Sequence, residues 1–252
     1  MAQPRAQALR VCADPDNLPF SNEDGSGFEN RIASLLAGEL GVSLQYAWLP
    51  DRRGFVRKTL GADACDLIVG VPVGLERVLP TLAYYRSAFV FVQREPAPGE
   101  SPLASFDDPR LRQWRIGVQL IGNDLAASPP GYALARHGAI DNVVGFTLAG
   151  ERPAGQRLVE AVSQGRLDAA VLWGPQAGYF VRHSPVPLRM SRAIAPADVA
   201  QPFEFSIAMG VRREDTALQQ SLNDVIRRRK PEIDAILAQY NVPRVAAREP
   251  LP

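Results

Sequence analysis

Two short apolar runs constrain the fold of this chain more than any other feature of its sequence. They read DLIVGV at residues 66–71 and LDAAVLWG at residues 167–174. A predominantly apolar run of this length is typical of a strand buried on both faces, as in a parallel sheet covered by helices. Each run closes a series of alternating strand and helix patterns. The sequence therefore predicts two α/β lobes with right-handed connections.

The first series alternates strand and helix patterns regularly. Apolar residues recur at helical spacing from Phe28 to Leu40, and Gly41 follows as a C-terminal cap. The other predicted elements are strands at 10–14, 44–49 and 66–71, and a short helix at 53–61. A long β-rich segment at 84–93 then leads out of the first lobe.

The second series begins after a Pro-rich stretch at 95–109, which we expect at the lobe boundary. Pro175 lies in the first turn of a predicted helix, and Pro231 is expected to kink or split the amphipathic stretch at 215–240. The predicted elements are strands at 115–120, 143–148, 167–174 and 205–213, and helices at 124–137, 157–165 and 175–183.

These patterns set the expected domain boundaries. Lobe 1 comprises residues 9–92 and 203–245, and lobe 2 comprises residues 93–202. The ends at 1–8 and 246–252 are expected to be flexible.

Composition and motifs exclude several classes of function. The chain is 46% hydrophobic and 22% charged with a net charge of +1, so no excess of either sign suggests nucleic acid, and the basic run at 227–230 is interpreted as a solvated face. The sequence lacks the G-x-S-x-G elbow, the phosphate loop, the dinucleotide fingerprint and H-E-x-x-H. His137 and His183 lie at predicted helix ends, where capping or solvated roles are expected. We predict no enzymatic activity, no cofactor and no metal site.

The start of the chain favours export. Residues 2–8 are small, polar and Pro-containing, as is typical just past a signal-peptide cleavage site; the alternative is a cytoplasmic protein with a frayed start. No apolar stretch reaches the length of a membrane span, so membrane insertion is not expected. Cys12 and Cys65 form an even pair that suits one disulfide in an exported chain, but the register of their flanking strands could leave the sulfurs too far apart.

Polar and aromatic side chains cluster in the loops that follow the predicted strands. In open α/β sheets ligands bind at the carboxyl ends of strands, so these loops should line a cleft between the lobes. The predicted ligand- or partner-binding residues are Asp14, Asn17, Phe20, Trp48, Arg52, Arg53, Arg77, Tyr85, Asn123, Asp124 and Trp173. Core packing is the alternative for Phe20, Trp48 and Trp173.

Several of these loops resemble a known family. The segments that carry the resemblance are CADPDNLPFSN, GFENRIASLLAGELG, LPDRRGFVRKTLGADACDLIVGVP, YYRSAFVFV and GRLDAAVLWGPQAGYF. They are similar to the periplasmic binding-protein-like family encoded beside dehydrogenases that depend on pyrroloquinoline quinone (PQQ). This family includes MoxJ and XoxJ. The resemblance covers about Leu9 to Val245. It implies a type II periplasmic binding protein fold, with two α/β lobes joined by crossover segments around a ligand cleft.

Against the amino-acid-binding members of that fold, three positions differ in an informative way. Those proteins share an Arg after the third strand, a Gly-Thr-Thr type helix start in lobe 2, and an acid after the GRLDA strand. Arg77 matches the first, whereas Asp124 beside Asn123 would repel an α-carboxylate at the second. Trp173 takes the place of the acid that would hold an ammonium group. The resemblance therefore implies an incomplete amino-acid clamp.

The resemblance implies a periplasmic accessory protein of a PQQ-dependent alcohol or methanol dehydrogenase, with the dehydrogenase and its cytochrome c as expected partners. The alternative is the substrate-binding component of an ABC transporter for a small solute that is not an amino acid. A dehydratase-like enzyme that uses Asp14 or Asp124 as general acid or base is the least favoured interpretation.

Overall fold

A computed structural model of the chain describes residues 8–50, 54–121, 126–148 and 152–246. The chain divides into two compact units. Unit 1 comprises the residues up to Arg86 together with Ser206–Tyr240, and unit 2 comprises Ser87–Phe205 together with the residues from Asn241 onward. Strands and helices alternate through both units, as the apolar runs predict.

The secondary structure has the following bounds. The strands are β1 (Ala8–Ala13), β2 (Asp16–Asn17), β3 (Ser21–Asn22), β4 (Ser43–Trp48), β5 (Leu67–Pro72), β6 (Leu79–Pro80), β7 (Tyr85–Arg94), β8 (Ile116–Ile121), β9 (Ala126–Ala127), β10 (Val143–Phe146), β11 (Ala169–Trp173), β12 (Leu188–Arg192) and β13 (Glu204–Val211). The α-helices are α1 (Phe28–Leu40), α2 (Phe55–Lys58), α3 (Pro129–Arg136), α4 (Ala154–Ser163), α5 (Gly174–Arg182), α6 (Thr216–Arg228) and α7 (Lys230–Gln239).

Unit 1 is built on a mixed sheet in the order β13–β5–β1–β4. β1 runs parallel to both β4 and β5, and β13 runs antiparallel to β5. Helix α1 packs on this sheet and against α6 and α7, and it buries Phe28, Ile32 and Leu36. The helix ends at Gly41, whose φ of 66° is the left-handed conformation that favours glycine.

Unit 2 is built on strands in the order β10–β8–β11–β7, with β12 also paired to β7. β8 runs parallel to β10 and β11, whereas β7 runs antiparallel to β11. The core beside these strands is rich in aromatic rings. Phe91 and Phe106 lie with centroids 5.0 Å apart, and Phe106 contacts Phe203 at 5.4 Å. All three rings are almost fully buried.

The Pro-rich stretch at 95–109 lies inside unit 2, as it does in the predicted lobe 2 of residues 93–202. Leu103 and Phe106 are fully buried in the core of this unit, and the backbone N–H of Leu103 donates to Oε1 of Gln93 at 2.7 Å. The chain changes unit earlier, between Arg86 and Ser87, within β7. Burial of these two apolar side chains therefore anchors the segment in unit 2.

The end of the described chain also differs from the expected boundary, which placed residues up to 245 in lobe 1. The residues after Tyr240 belong to unit 2. Nδ2 of Asn241 donates to the carbonyl of Gly178 at 2.9 Å, and Oγ of Ser87 donates to the carbonyl of Pro243 at 2.6 Å. These two hydrogen bonds attach the segment to α5 and β7.

Most predicted helices form, with shifted ends. Pro175 lies in the first turn of α5, and the C-terminal stretch is split into α6 and α7 at Arg229, with Pro231 in the first turn of α7. Helix α3 begins only at Pro129, later than the predicted start at 124, since a proline is well placed in a first helical turn. Residues 122–125 lie outside the described chain. Strand β12 was not predicted, because its half-exposed sequence LRMSR carries a weak apolar pattern.

Cys12 and Cys65 form a disulfide, which resolves the alternative left open by the sequence. Their Cα atoms are 5.5 Å apart, within the range that a disulfide requires. Both residues are buried in a small apolar cluster with Leu60, Ile68 and Val71. The bridge therefore joins β1 to the segment that precedes β5 within the core of unit 1.

We predict that removing this bridge destabilises the protein. The double variant Cys12→Ala, Cys65→Ala is expected to lower the free energy of unfolding by about 2–4 kcal/mol, because the unfolded chain regains the freedom of a loop whose ends lie 53 residues apart. Urea denaturation followed by circular dichroism measures the change. Either single variant should lose nearly as much as the double variant. Equal stability of the bridged and bridge-free proteins would contradict this prediction.

A second cross-link in unit 1 is ionic. Oδ1 of Asp66 accepts from Nη2 of Arg10 at 2.6 Å and from Nη2 of Arg212 at 3.0 Å, so one carboxylate joins β1 to the residue that follows β13. Burial opposes the charge on Asp66, but the hydrogen bonds from Arg10 and Arg212 outweigh it and hold the pKa of Asp66 below its ordinary value. The charged form is therefore the one that stabilises the fold.

We expect Asp66→Asn to lower the free energy of unfolding at pH 7 by about 1–3 kcal/mol, as is typical for hydrogen bonds to charged groups. Because the pKa of Asp66 is lowered in the folded protein, this stabilisation is present above about pH 4 and disappears as the pH falls through the folded-state pKa. Urea denaturation at pH 7 and pH 3 should show the two proteins converging at low pH. Asp224→Asn removes the exposed pair with Arg227 and should change stability by less than about 1 kcal/mol.

Candidate functional site

The loop after β1 is held in place by its own hydrogen bonds. Oδ1 of Asp14 accepts from the backbone N–H of Asp16 at 2.9 Å, and the hydroxyl of Ser21 donates to the carbonyl of Asp14 at 2.7 Å. The backbone N–H of Phe20 donates to the carbonyl of Asn17 at 2.9 Å. Asp14, Asn17 and Phe20 are each partly exposed on this loop, at the carboxyl end of β1. The structure therefore brings three of the predicted residues together.

A row of aromatic rings runs from this loop into the interior of unit 1. Phe20 contacts Phe28 at a centroid distance of 5.4 Å, and Phe28 contacts the edge of Tyr85 at 6.2 Å. Tyr85 is only 6% exposed, and Tyr84 lies beside it at 5.0 Å. Phe20 is thus the exposed end of the row, whereas Tyr85 is a buried support for it.

Sequence reasoning missed a carboxylate beside this row. Glu29 is partly buried in the first turn of α1, and its carboxylate lies against Gly70 in β5, where an added Cβ would collide with Oε1. Burial first, and then the negative charge of Glu29, raise the pKa of Tyr84 and of Tyr85 well above the ordinary phenol value. Two features of the sequence could have identified Glu29. It is an acid in the first turn of a predicted helix, and a predicted buried strand contains a glycine that leaves room for its carboxylate.

Trp48 ends β4 and stacks on Tyr46, with centroids 4.4 Å apart and ring planes 14° apart. Both rings are partly exposed, so Trp48 is neither a core residue nor an isolated surface residue. Arg77 is exposed on the segment that follows β5. Arg52 and Arg53 lie outside the described residues, and their predicted roles stay predictions.

In unit 2, Trp173 lies at the carboxyl end of β11, immediately before α5, and it is partly exposed. Its indole meets Phe89 at 5.4 Å and Phe205 at 5.7 Å, both in edge-to-face contacts. Phe89 and Phe205 are also partly exposed. We call Phe89, Trp173 and Phe205 the Trp173 cluster.

The Trp173 cluster could be predicted only in part. Trp173 follows a strand that is evident in the sequence, but Phe89 and Phe205 reach it from β7 and β13. The antiparallel register places Phe89 opposite Trp173. Glu204 precedes Phe205 in β13, and its carboxylate pairs with Arg192. Asn123 and Asp124, which were predicted to line the same cleft as Trp173, fall outside the described chain.

Both histidines lie at helix ends, as the sequence predicted. His183 caps α5, with Nδ1 2.7 Å from the carbonyl of Tyr179, and His137 caps α3. Across the described ranges, no group of three or more histidine, cysteine, aspartate or glutamate side chains is placed to hold a metal ion. The arrangement of the predicted residues suits binding, through aromatic faces and polar loop atoms.

The basic run near the C terminus is paired with acids. Arg227 pairs with Asp224, Arg228 and Arg229 with Glu39, Arg229 also with Glu232, and Lys230 with Asp234. This pairing favours the predicted solvated helix face over a polyanion site. None of the helices in the described ranges has the length and apolar character needed to cross a membrane.

Comparisons with known proteins confirm the expected fold, which is that of a type II periplasmic binding protein. No family model matches the chain. The chain is 34% identical over 258 residues to Protein MoxJ of Methylorubrum extorquens, across 96% of this chain and 83% of that protein. It is 32% identical to Protein MoxJ of Paracoccus denitrificans, across 93% and 88% of the two chains. The crystal structure of the periplasmic binding protein XoxJ from Methylobacterium extorquens AM1 matches with a TM-score of 0.78 and 36% identity, and the match covers 95% of this chain and 100% of that one.

Proposed function

Because the chain belongs to the family of the MoxJ and XoxJ periplasmic binding proteins, we propose that it is exported to the periplasm and assists a PQQ-dependent alcohol or methanol dehydrogenase there. In this role it is a maturation or activation partner of the enzyme and not itself an enzyme. The observation that carries the proposal is the likeness to MoxJ along 96% of the chain. The dehydrogenase, and with it a cytochrome c, is the proposed partner.

The Trp173 cluster is the surface that we assign to partner binding. It presents three partly exposed rings where amino-acid binders of this fold carry an acid, and aromatic residues frequently dominate the energy of protein interfaces. Since the neighbouring acid Glu204 is engaged by Arg192, the surface favours an uncharged apolar group. An aliphatic or aromatic side chain inserted by the dehydrogenase has this chemistry.

Uptake is the second candidate function, and the same cluster supports it. As the substrate-binding component of an ABC transporter, the protein would hold a small uncharged or aromatic solute on these rings. The ligand cleft that the family implies stays a prediction. A lyase that uses Asp14 or Asp124 as general acid or base is the least favoured function. If the wild type, Asp14→Asn and Asp124→Asn all turn over substrate only at the background rate, the lyase function is excluded.

We predict that the unmutated protein binds the common amino acids poorly. Trp173 takes the place of the acid that holds the ammonium group in amino-acid binders, and Glu204 is engaged by Arg192, so a ligand ammonium would lack that charge partner. Loss of such a buried contact costs about 3–5 kcal/mol, or roughly two to four decades of affinity. Isothermal titration calorimetry should show no binding in the micromolar range. Trp173→Asp serves as the comparison, because it restores a carboxylate at this place. Micromolar binding of any amino acid by the wild type would return the chain to amino-acid uptake.

The accessory role is tested by capture of the purified dehydrogenase from the same organism on the immobilised protein. Trp173→Ala should weaken capture by at least about tenfold, as expected when a central aromatic contact is lost. Tyr132→Ala is the matched control, since Tyr132 is an exposed ring on α3, outside the Trp173 cluster, and it should leave capture unchanged. Absence of capture by the wild type, with a tightly bound small solute, would reject the accessory role and favour uptake.

A further inference from the structure

A cavity of about 470 Å³ lies in unit 1, between the end of α1 and the start of α6. Ala8 at the start of β1, Asp66 before β5 and Arg212 after β13 contribute to its lining. These residues mark the end of the sheet at which β1 and β5 begin. Phe20 follows β1 and Trp48 ends β4, so the predicted binding loops lie at the opposite end of the same strands. The cavity is therefore separate from every candidate residue considered above.

Much of the cavity lining is apolar. Leu9 is almost fully buried, whereas Leu40, Val42 and Leu218 are partly exposed. Small-molecule sites are concave, largely apolar and typically about 300–1,000 Å³ in volume, and this cavity falls within that range. An aliphatic chain placed against these side chains would remove apolar surface of both partners from water. The cavity thus suits a ligand with an apolar body.

Two acids of the lining are already engaged by arginines. Oδ1 of Asp66 accepts from Nη2 of Arg10 at 2.6 Å and from Nη2 of Arg212 at 3.0 Å, and Oδ2 accepts from the backbone N–H and Nε of Arg10, both at 3.1 Å. A carboxylate accepts about four hydrogen bonds, so Asp66 is saturated. Glu39 is paired with the two arginines at the end of α6. Neither acid is well placed to hold a ligand.

Asp215 is the acid of the lining with capacity left. It is the N-cap residue of α6, where an aspartate commonly accepts from an N–H of the first turn, but its side chain makes no such bond. Oδ2 is buried 2.8 Å from Nη2 of Arg212, and no described residue donates a hydrogen bond to it, since this ion pair lacks the required geometry. The side chain is still 26% exposed at the cavity, so Oδ1 is the oxygen that a ligand donor can reach.

The surrounding charges favour a donor that is positively charged. Asp63, Asp66 and Asp215 share Arg10 and Arg212, so this network sets three carboxylates against two guanidinium groups. The C-terminal end of α1 also lines the cavity; this helix lies wholly within the described residues, and its last turn has no basic side chain. A helix C terminus favours a cation. Within the described ranges no acidic cluster is placed to hold a metal ion, so an organic cation is the matching ligand.

We propose that this cavity binds a small aliphatic amine, with the ammonium group on Oδ1 of Asp215 and the chain against Leu40, Val42 and Leu218. The charge and the chain act together. Each methylene that the cavity buries should strengthen binding by about fourfold, and an anionic head group on the same chain should be rejected by the excess negative charge. The site belongs to unit 1, so it does not depend on the role proposed for the Trp173 cluster in unit 2.

Nuclear magnetic resonance of the nitrogen-15-labelled protein, titrated with n-hexylammonium chloride, tests the site. Backbone amide signals of residues 39–42 and 212–221 should shift to saturation, with a dissociation constant of about 1 mM or tighter. Ethylammonium should bind at least about tenfold more weakly, and hexanoate should leave these signals unchanged. Asp215→Asn keeps the size of the side chain but removes its charge, so it should weaken hexylammonium binding by about ten- to a hundredfold.

Asp224→Asn is the matched control, because it removes the same charge from an exposed position of α6, where Asp224 pairs with Arg227. It should leave the affinity unchanged, as should Trp173→Ala. Leu218→Lys is a second variant at a partly exposed position; it sets an ammonium group three residues from Asp215 on α6, and this group should displace hexylammonium.

Circular dichroism establishes that each variant is folded, and Leu218→Lys decides the question if Asp215→Asn is not. Hexylammonium shifts that do not saturate, hexanoate binding of equal strength, or an undiminished affinity in the folded Asp215→Asn or Leu218→Lys protein would each overturn the proposal.

Discussion

Burial of a central apolar strand on both faces is the constraint on which each unit depends. In β11, the residues Ala169–Leu172 are fully inaccessible to solvent, and in β5 the alternate residues Leu67, Val69 and Val71 are almost so. A strand that is covered on both sides needs cover on each face, and in both units this strand has one parallel and one antiparallel neighbour. Function is then left to the ends of the strands, where the chain emerges from the core. Trp173 occupies such a position, at the carboxyl end of β11.

Helices could be predicted where the spacing of apolar residues and the residue type at the helix end agree. Helix α1 has both an apolar face and a glycine at its end, and the split between α6 and α7 follows from Pro231. The boundaries between the units could not be predicted in the same way. Strand β7 runs from Tyr85 to Arg94 without a break in its β-rich pattern, yet the chain passes from one unit to the other inside it. The Pro-rich segment lies in unit 2, where Leu103 is fully buried.

The candidate site shows the same division between local and non-local information. The sequence pointed to Trp173, since it follows a recognisable buried strand, but Phe89 is more than 80 residues away and meets it only through antiparallel pairing. For the same reason, the sequence could not decide whether Cys12 and Cys65 form a disulfide. Register pairs Cys12 with Ile68, and the short segment before β5 then brings Cys65 to within 5.5 Å of Cys12 between Cα atoms. Strand register is a property of the whole sheet and is not encoded at either cysteine.

The Trp173 cluster is the open end of the unit 2 core and not a separate surface. Phe89 and Phe91 lie on one face of β7, and the register sets Trp173 opposite Phe89 and Val171 opposite Phe91. Phe91 is closed off by Phe106, whereas Phe89 and Trp173 remain partly exposed. An apolar group placed there would extend the buried core and gain about 25 cal/mol for each square ångström of apolar surface removed from water. An ammonium group placed there would lose its hydration without a carboxylate to replace it, since Arg192 already engages Glu204. The proposed partner side chain or solute is therefore expected to present an uncharged group to the Trp173 cluster.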